Sequence, residues 1–285
     1  MRQAITLSAL GLGTTSPNPP VGCVIVDRHG TVVGAGFHRR KGEPHAEVHA
    51  LKAAAGAARG GTAVVTLEPC NHVGVTPACR QELINAGVSR VVIAVMDPTS
   101  RGEGGASMLA AAGVEVETDV LRDEALTVLE PWLTATVRRR PYLTWAFALD
   151  GEHQAAAEER LLLTLRANAD LVIAGKTVDE GIPGGHASAH FALPSHADID
   201  EALPPWLSAI HELGVRSALV VGSEHDAVMR SHIHALDQLF VTVPRTDPTK
   251  ALEVVHSNLM PIGFRLVGVA SHSDMLTFRV RRLHV

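Results

Sequence analysis

From Val21 onward, short runs of β-branched and apolar residues alternate with Ala- and Leu-rich stretches of helical period, so the chain reads as strand and helix in turn. Residues 21–26, the turn Asp27-Arg28-His29-Gly30 and residues 31–37 predict a hairpin whose tight turn ends in glycine. Residues 1–13, mildly apolar but without a basic run or a small-residue cleavage site, read as a first helix rather than a leader. Residues 44–58 have no glycine until Gly56 and predict a helix; 62–67 predict a short buried strand. Thr76 is placed to cap a further helix, with Pro77 at its first position, Leu83 and Ile84 on its apolar face and Gly87 as its stop. Residues 90–96 are continuous and β-branched, as in a strand covered on both faces, and a helix at 108–112 and a strand at 114–116 follow. A hairpin followed by βαβ units implies a layered α/β sheet flanked by helices.

Pro131, the run Arg138-Arg139-Arg140 and Pro141 interrupt this pattern, and a new strand begins at Tyr142. Two domains are expected, 1–137 and 141–285, with the triple arginine read as a solvated linker rather than an anion site. In the second half, strands are expected at 143–149, 171–174, 218–221, 239–243, 265–270 and 275–280, and helices at 158–167, 205–213 and 249–258. Residues 181–200, rich in Gly, His, Ser and Pro, read as a long irregular loop. Nothing recurs with the period of a solenoid.

Composition narrows the function classes. The 285 residues suffice for two ordinary domains, and 46% apolar with 19% charged residues argues for packed cores over disorder. A net charge of −5 gives no global attraction to nucleic acid or to an anionic membrane. One Tyr, three Trp and six Phe are few for a base-stacking channel, which argues against nucleic-acid editing. No apolar stretch approaches the ~20 residues needed to span a bilayer, so a soluble chain is expected. Three cysteines do not make a disulfide framework; they fit a reducing cytoplasm and are available for chemistry.

The candidate chemistry lies between His45 and Cys79. His45-Ala46-Glu47 opens a predicted helix, Pro69-Cys70 follows a predicted strand, and Cys79 lies near the start of the next helix. One imidazole and two thiolates form a three-ligand zinc set with a fourth position left to water, the arrangement of a catalytic rather than a structural site. Helix N-termini favour thiolate over thiol, and with Thr76 as cap Cys79 would be the third helical residue. Glu47 is too near His45 in sequence to be a comfortable second ligand but can face the water and shuttle its proton. An isolated H-x-E is common and a lone buried cysteine is usually core, as Cys23 is expected to be; the order H-x-E, strand, Pro-Cys, second Cys opening a helix is much rarer.

Ser16-Pro17-Asn18-Pro19, Gly36-Phe37-His38, Pro44-His45-Ala46-Glu47-Val48, Thr66-Leu67-Glu68-Pro69-Cys70-Asn71-His72, Gly74, Thr76-Pro77, Cys79 and Asp97-Pro98 together resemble the N-terminal deaminase of the bifunctional riboflavin-biosynthesis deaminase/reductase family. The resemblance implies a cytidine-deaminase-like three-layer α/β/α N-terminal domain. It implies hydrolytic removal of an amino group from a diaminopyrimidinone ribosylamino 5′-phosphate. By the same resemblance His45, Cys70 and Cys79 bind zinc, Glu47 is the proton shuttle, and Asn18 and His38 contact substrate. Val75 stands where the family usually has a basic residue suited to phosphate, and Arg39, Arg40 or Lys41 would have to compensate.

Residues 141–151 and 166–178 resemble the start of the family's reductase, which implies a smaller dihydrofolate-reductase-like α/β C-terminal domain. Asp150, Gly175 and Thr177 remain, but Thr144 and Ala148 replace the family's Lys and Ser, its Ser-x-Trp-Ile segment is missing, and its Glu-Gly-Gly is Val221-Gly222-Ser223 here. We expect no cofactor-binding residues in this domain, no tight NADPH binding, and a packing or dimerisation role within a homodimer or higher homo-oligomer. The 16 histidines of the chain include His186, His190, His196, His225, His232 and His234, read as solvated loop residues rather than a second metal site. Two other readings stay open: a deaminase of another aminopyrimidine or a pterin, and a non-catalytic scaffold stabilised by zinc.

Overall fold

The computed structural model describes residues 1–72, 77–99, 104–149, 157–186, 203–222, 227–246, 248–253, 263–272 and 275–283. The chain divides into two compact units, Met1–Glu130 and Pro131–Val285. Thr76, Asp150, Ser223, His190, His196 and His225 lie outside the described residues, as does Val75.

In the first unit, helix α1 (Arg2–Ala9) precedes strands β1 (Gly22–Val26) and β2 (Val32–Phe37); helix α2 (Ala46–Ala54), strand β3 (Thr62–Leu67), helix α3 (Cys79–Ala86), strand β4 (Arg90–Val95), helix α4 (Gly105–Ala111) and strand β5 (Glu115–Glu117) follow. The sheet runs β2-β1-β3-β4-β5, with β1 antiparallel to β2 and β3, and β3, β4 and β5 parallel. Helices cover both faces because small residues let them approach. A Cβ on Gly22 would lie 2.0 Å from the Ala4 carbonyl oxygen of α1, and one on Gly36 would lie 2.5 Å from His49 Cβ of α2. Between α2, α3, α4 and the sheet lies a core of Cys23, Ile25, Ala46, Ala50, Val65, Leu83, Ile93 and Leu109. Cys23 is fully buried there, as expected of a core residue. This is the three-layer α/β/α arrangement, and it sets the first turn of α2 beside the exits of β2 and β3.

Helix α5 (Arg122–Arg138) was not expected, and it runs without a break through Pro131. Its buried residues Ala125, Val128, Leu129, Trp132 and Ala135 form one helical stripe on both sides of the proline. The burial of that stripe offsets the hydrogen bond that proline cannot donate.

The second unit adds β6 (Tyr142–Ala148), α6 (Ala157–Asn168), β7 (Leu171–Ala174), β8 (Thr177–Glu180), α7 (Leu203–Glu212), β9 (Ser217–Val221), α8 (Ala227–Ser231), β10 (Gln238–Pro244), α9 (Pro248–Glu253), β11 (Phe264–His272) and β12 (Met275–Arg282). Its sheet has the order β11-β12-β10-β6-β9-β7-β8. The central β10, β6, β9 and β7 are parallel, while β12, β11 and β8 run antiparallel to their neighbours. Strand β8 escaped the sequence reading because it is four residues long and half acidic; it pairs with β7 through the two-residue turn Gly175-Lys176. Gly175 has φ +60°, so the turn itself accounts for this glycine.

Two expectations for this unit are corrected. Arg138 and Arg140 are not a solvated linker: both donate to the carboxylate of Asp237, at 2.9 and 2.6 Å, and that carboxylate is fully buried. It also accepts the Leu143 backbone N–H at 2.8 Å, so a buried charge on the approach to β10 is fully compensated. His186 is not a solvated loop residue either. It is buried, with Nε2 3.3 Å from Asp170 Oδ1 and Nδ1 3.7 Å from Glu180 Oε1, carboxylates that flank β7 and end β8.

Replacing Asp237 by Ala should leave two guanidinium groups facing each other without their shared anion and destabilise the second unit by about 3 kcal/mol. Urea unfolding followed by tryptophan fluorescence checks this, and an unchanged midpoint would contradict it.

Candidate metal centre

His45 is the residue on which α2 begins, with extended backbone (φ −70°, ψ 167°), and Pro44 precedes it. The helix starts there because an extended residue after proline gives way to the uninterrupted helix formers Ala46 to Ala54. Its ring projects toward the exit of β3. Cys70 lies three residues past the end of β3, and Cys79 is the first residue of α3. The ligand atoms of His45, Cys70 and Cys79 all lie within 4.8 Å of one another. Nδ1 is the ring nitrogen that faces the sulfurs, 3.2 Å from Cys79 Sγ and 3.7 Å from Cys70 Sγ.

The start of α3 differs from the expected one, and the difference is informative. The helix begins at Cys79 with Ala78 in the cap position and no side-chain cap. Its unpaired N–H groups are taken instead by Cys70: the Cys79 N–H donates to Cys70 Sγ at 3.3 Å and the Arg80 N–H to the Cys70 carbonyl at 3.4 Å. One cysteine therefore caps the helix that carries the other. Beside them the Arg80 guanidinium donates to the Asn71 side-chain oxygen, bracing the same junction.

The electrostatics follow from this crowding. The Cys70 thiol is pushed down to about 4, first by its hydrogen bond with Cys79 and then by His45 and the Cys79 N–H. Cys79 is pushed well up, first by Cys70 and then by burial. Their mutual contact thus pushes the two thiols in opposite directions. Glu47, buried in the first turn of α2, has its carboxyl raised by burial and reaches Cys79 by a hydrogen bond. One imidazole nitrogen and two sulfurs, with a carboxylate that is near but outside the set, are the donors of a three-ligand zinc site with an open position. The residues present fit that ion.

On the other side of His45 lies a second pair. His38, at the exit of β2, is buried, and its ring meets that of His45 edge-on at 5.2 Å between centroids. Its Nδ1 lies 3.2 Å from the Pro44 carbonyl oxygen, which can only accept, so Nδ1 carries the proton. Nε2 is then an acceptor for the Asn18 side-chain amide N–H at 3.2 Å, which fixes the direction of the Asn18 amide. The sequence reading named both residues but not this relay. It also assigned no task to Glu68, a charged residue ending the buried run Val65-Thr66-Leu67, and that placement was the signal.

Residues 1–95 match the family described as the cytidine and deoxycytidylate deaminase zinc-binding region. A riboflavin biosynthesis protein RibD of Aquifex aeolicus is 44% identical over 155 residues, which are 53% of this chain and 43% of that one. The RibD of Mycobacterium tuberculosis strain H37Rv is 45% identical over 57% of this chain and 52% of its own. That of Synechocystis is 29% identical along the whole of this chain and 82% of its own length. This chain resembles the riboflavin-biosynthesis deaminase/reductases. A deaminase/reductase from Thermotoga maritima shares its fold, with a TM-score of 0.81 and 24% identity over 99% of this chain and 97% of that one. A RibD from Acinetobacter baumannii, 26% identical, superposes with a TM-score of 0.70 over 99% and 97%. The chain spans about half the length of the first two RibD relatives, at 43% and 52%. The first unit thus has the cytidine-deaminase-like fold and the second is reductase-like.

His38 is held down to about 4, mainly by burial, so it is neutral in the fold at pH values where a free histidine is charged. A folded-state value below the unfolded one gives stability that is complete above about pH 6.5 and is lost as pH falls toward 4. His38→Gln should flatten the fall in urea stability between those two pH values. A slope identical to wild type would contradict the buried neutral ring.

Proposed function

We propose that the chain hydrolytically deaminates a diaminopyrimidinone ribosylamino 5′-phosphate in riboflavin biosynthesis, releasing ammonia and the uracil-type product, and that its second unit no longer reduces that product. The observation that carries the reading is Glu47: a buried carboxylate beside the three metal-binding side chains but not one of them, which a structural metal site has no need of. The likeness to RibD proteins supports the substrate class.

His45, Cys70 and Cys79 would hold zinc, which would supply Lewis acidity that makes water a nucleophile near neutral pH. Glu47, which retains protons more readily than a free carboxylate, carries one proton of the attacking water to the ring nitrogen and then the second from the same oxygen to the departing amine, so that the carbonyl forms as ammonia leaves. Asn18, its amide nitrogen occupied by His38, offers its oxygen as acceptor to the pyrimidine edge. Burial of Glu47 shields its carboxylate from bulk water. Arg39, Arg40 and Lys41, which directly follow His38, are the cations we assign to the substrate phosphate in place of the residue at 75. The three cysteines are free, which supports a reducing cytoplasm as the setting.

The loss of reduction is supported by Thr144 and Ala148 on β6, where the related reductases carry Lys and Ser, and by Gly175, which the β7–β8 turn accounts for. We assign this unit a packing role within a homodimer or higher homo-oligomer.

The test is ammonia release by zinc-loaded protein on the nucleotide and on its dephosphorylated form, with NADPH absorbance followed in parallel. Glu47→Gln should keep one zinc and lose activity by about 10²–10⁴-fold. A variant as active as wild type would overturn the assignment. Equal turnover of both substrates would count against the phosphate site, and NADPH oxidation with the deaminated product would contradict the loss of reduction.

A further inference from the structure

We propose that Glu68 is a positioning residue for the metal centre: its carboxylate joins the Ala106 and Asp97 backbone amides and thereby fixes the Pro69-Cys70 turn that presents a metal ligand. The inference rests on the zinc reading of the site and names a residue that acts on it from outside.

Glu68 is 5% exposed, in a place where a carboxylate needs compensation. Its Oε1 accepts the Ala106 N–H in the first turn of α4 at 2.9 Å, and its Oε2 accepts the Asp97 N–H just past β4 at 3.3 Å. Its own backbone N–H donates to the Val95 carbonyl at 2.9 Å, extending the β3–β4 pairing by one residue beyond the strand. The residue is therefore tied on both main chain and side chain to the elements that flank the turn.

Helix α4 closes the arrangement. Gly105, its first residue, sits so near the turn that a Cβ there would come within 2.1 Å of the Pro69 carbonyl oxygen. Glu68 thus holds the N-terminus of α4 against the peptide that leads into Cys70, while Cys79 and Arg80 of α3 hold Cys70 from the other side. Two helix starts clamp one irregular turn, and the carboxylate is the side chain that links the second of them to the strand. Ligand geometry in a three-donor site depends on such outer contacts as much as on the donors themselves.

Glu68→Gln separates this role from general stability. The amide oxygen can still accept from Ala106, but its NH₂ then faces the Asp97 N–H, two donors in opposition. Zinc affinity of the full chain should fall by about 10–100-fold, and the thiolate-to-metal charge-transfer bands of the cobalt-loaded protein should shift or weaken. Gly105→Ala, which leaves Glu68 intact and pushes α4 off the turn, should give the same spectral change, and decides the matter if Glu68→Gln does not fold. A folded variant with wild-type zinc affinity and cobalt spectrum but a lower melting temperature would overturn the positioning role and leave a structural one. Failure of the wild-type chain to take up zinc or cobalt would instead sink the zinc reading itself.

Discussion

Two thiols and an imidazole forced into contact inside an apolar fold form an arrangement that needs a cation. Three groups lie within 4.8 Å of one another, and their crowding splits the two thiols, one held down and one pushed up. A divalent ion held there would keep both sulfurs as thiolates and so remove that opposition. The local architecture serves this meeting: α2 begins on its ligand, α3 begins on its ligand, and the N–H groups at the start of α3 are satisfied by the third ligand and its carbonyl.

The meeting of His45, Cys70 and Cys79 was legible in the sequence because these residue types in this order are rare together. The helix boundary at Cys79 was not, because the cap comes from Cys70, nine positions earlier in the segment that follows β3, and no local propensity records it. The same holds for Asp237, whose arginine partners lie 97 and 99 positions away; a run of three arginines looks solvated until the distant carboxylate is known. His186 was misread for the same reason, since Asp170 and Glu180 approach it only through the β7–β8 hairpin. Strong periodicity carried most of the strands, whereas β8, short and acidic, and α5, interrupted in sequence by Pro131, were lost. What the sequence hid was non-local compensation of charge and of unpaired backbone groups.

The relay from Pro44 through His38 to Asn18 gives the site a direction. A carbonyl fixes a tautomer, the tautomer fixes an amide, and the amide presents an acceptor. Hydrogen bonds used in this way hold both side chains in one orientation. In the second unit the same currency is spent on stability: the polar contacts of Asp237 and Asp170 tie strands and loops together.

The most direct test of the central claim is X-ray absorption at the zinc edge on the purified full chain, with the metal content measured on the same sample. The account predicts one zinc per chain, with two sulfurs at about 2.3 Å, one nitrogen at about 2.0–2.1 Å and one further light atom. A sample without stoichiometric zinc, or a first shell of four sulfurs or of light atoms alone, would contradict it.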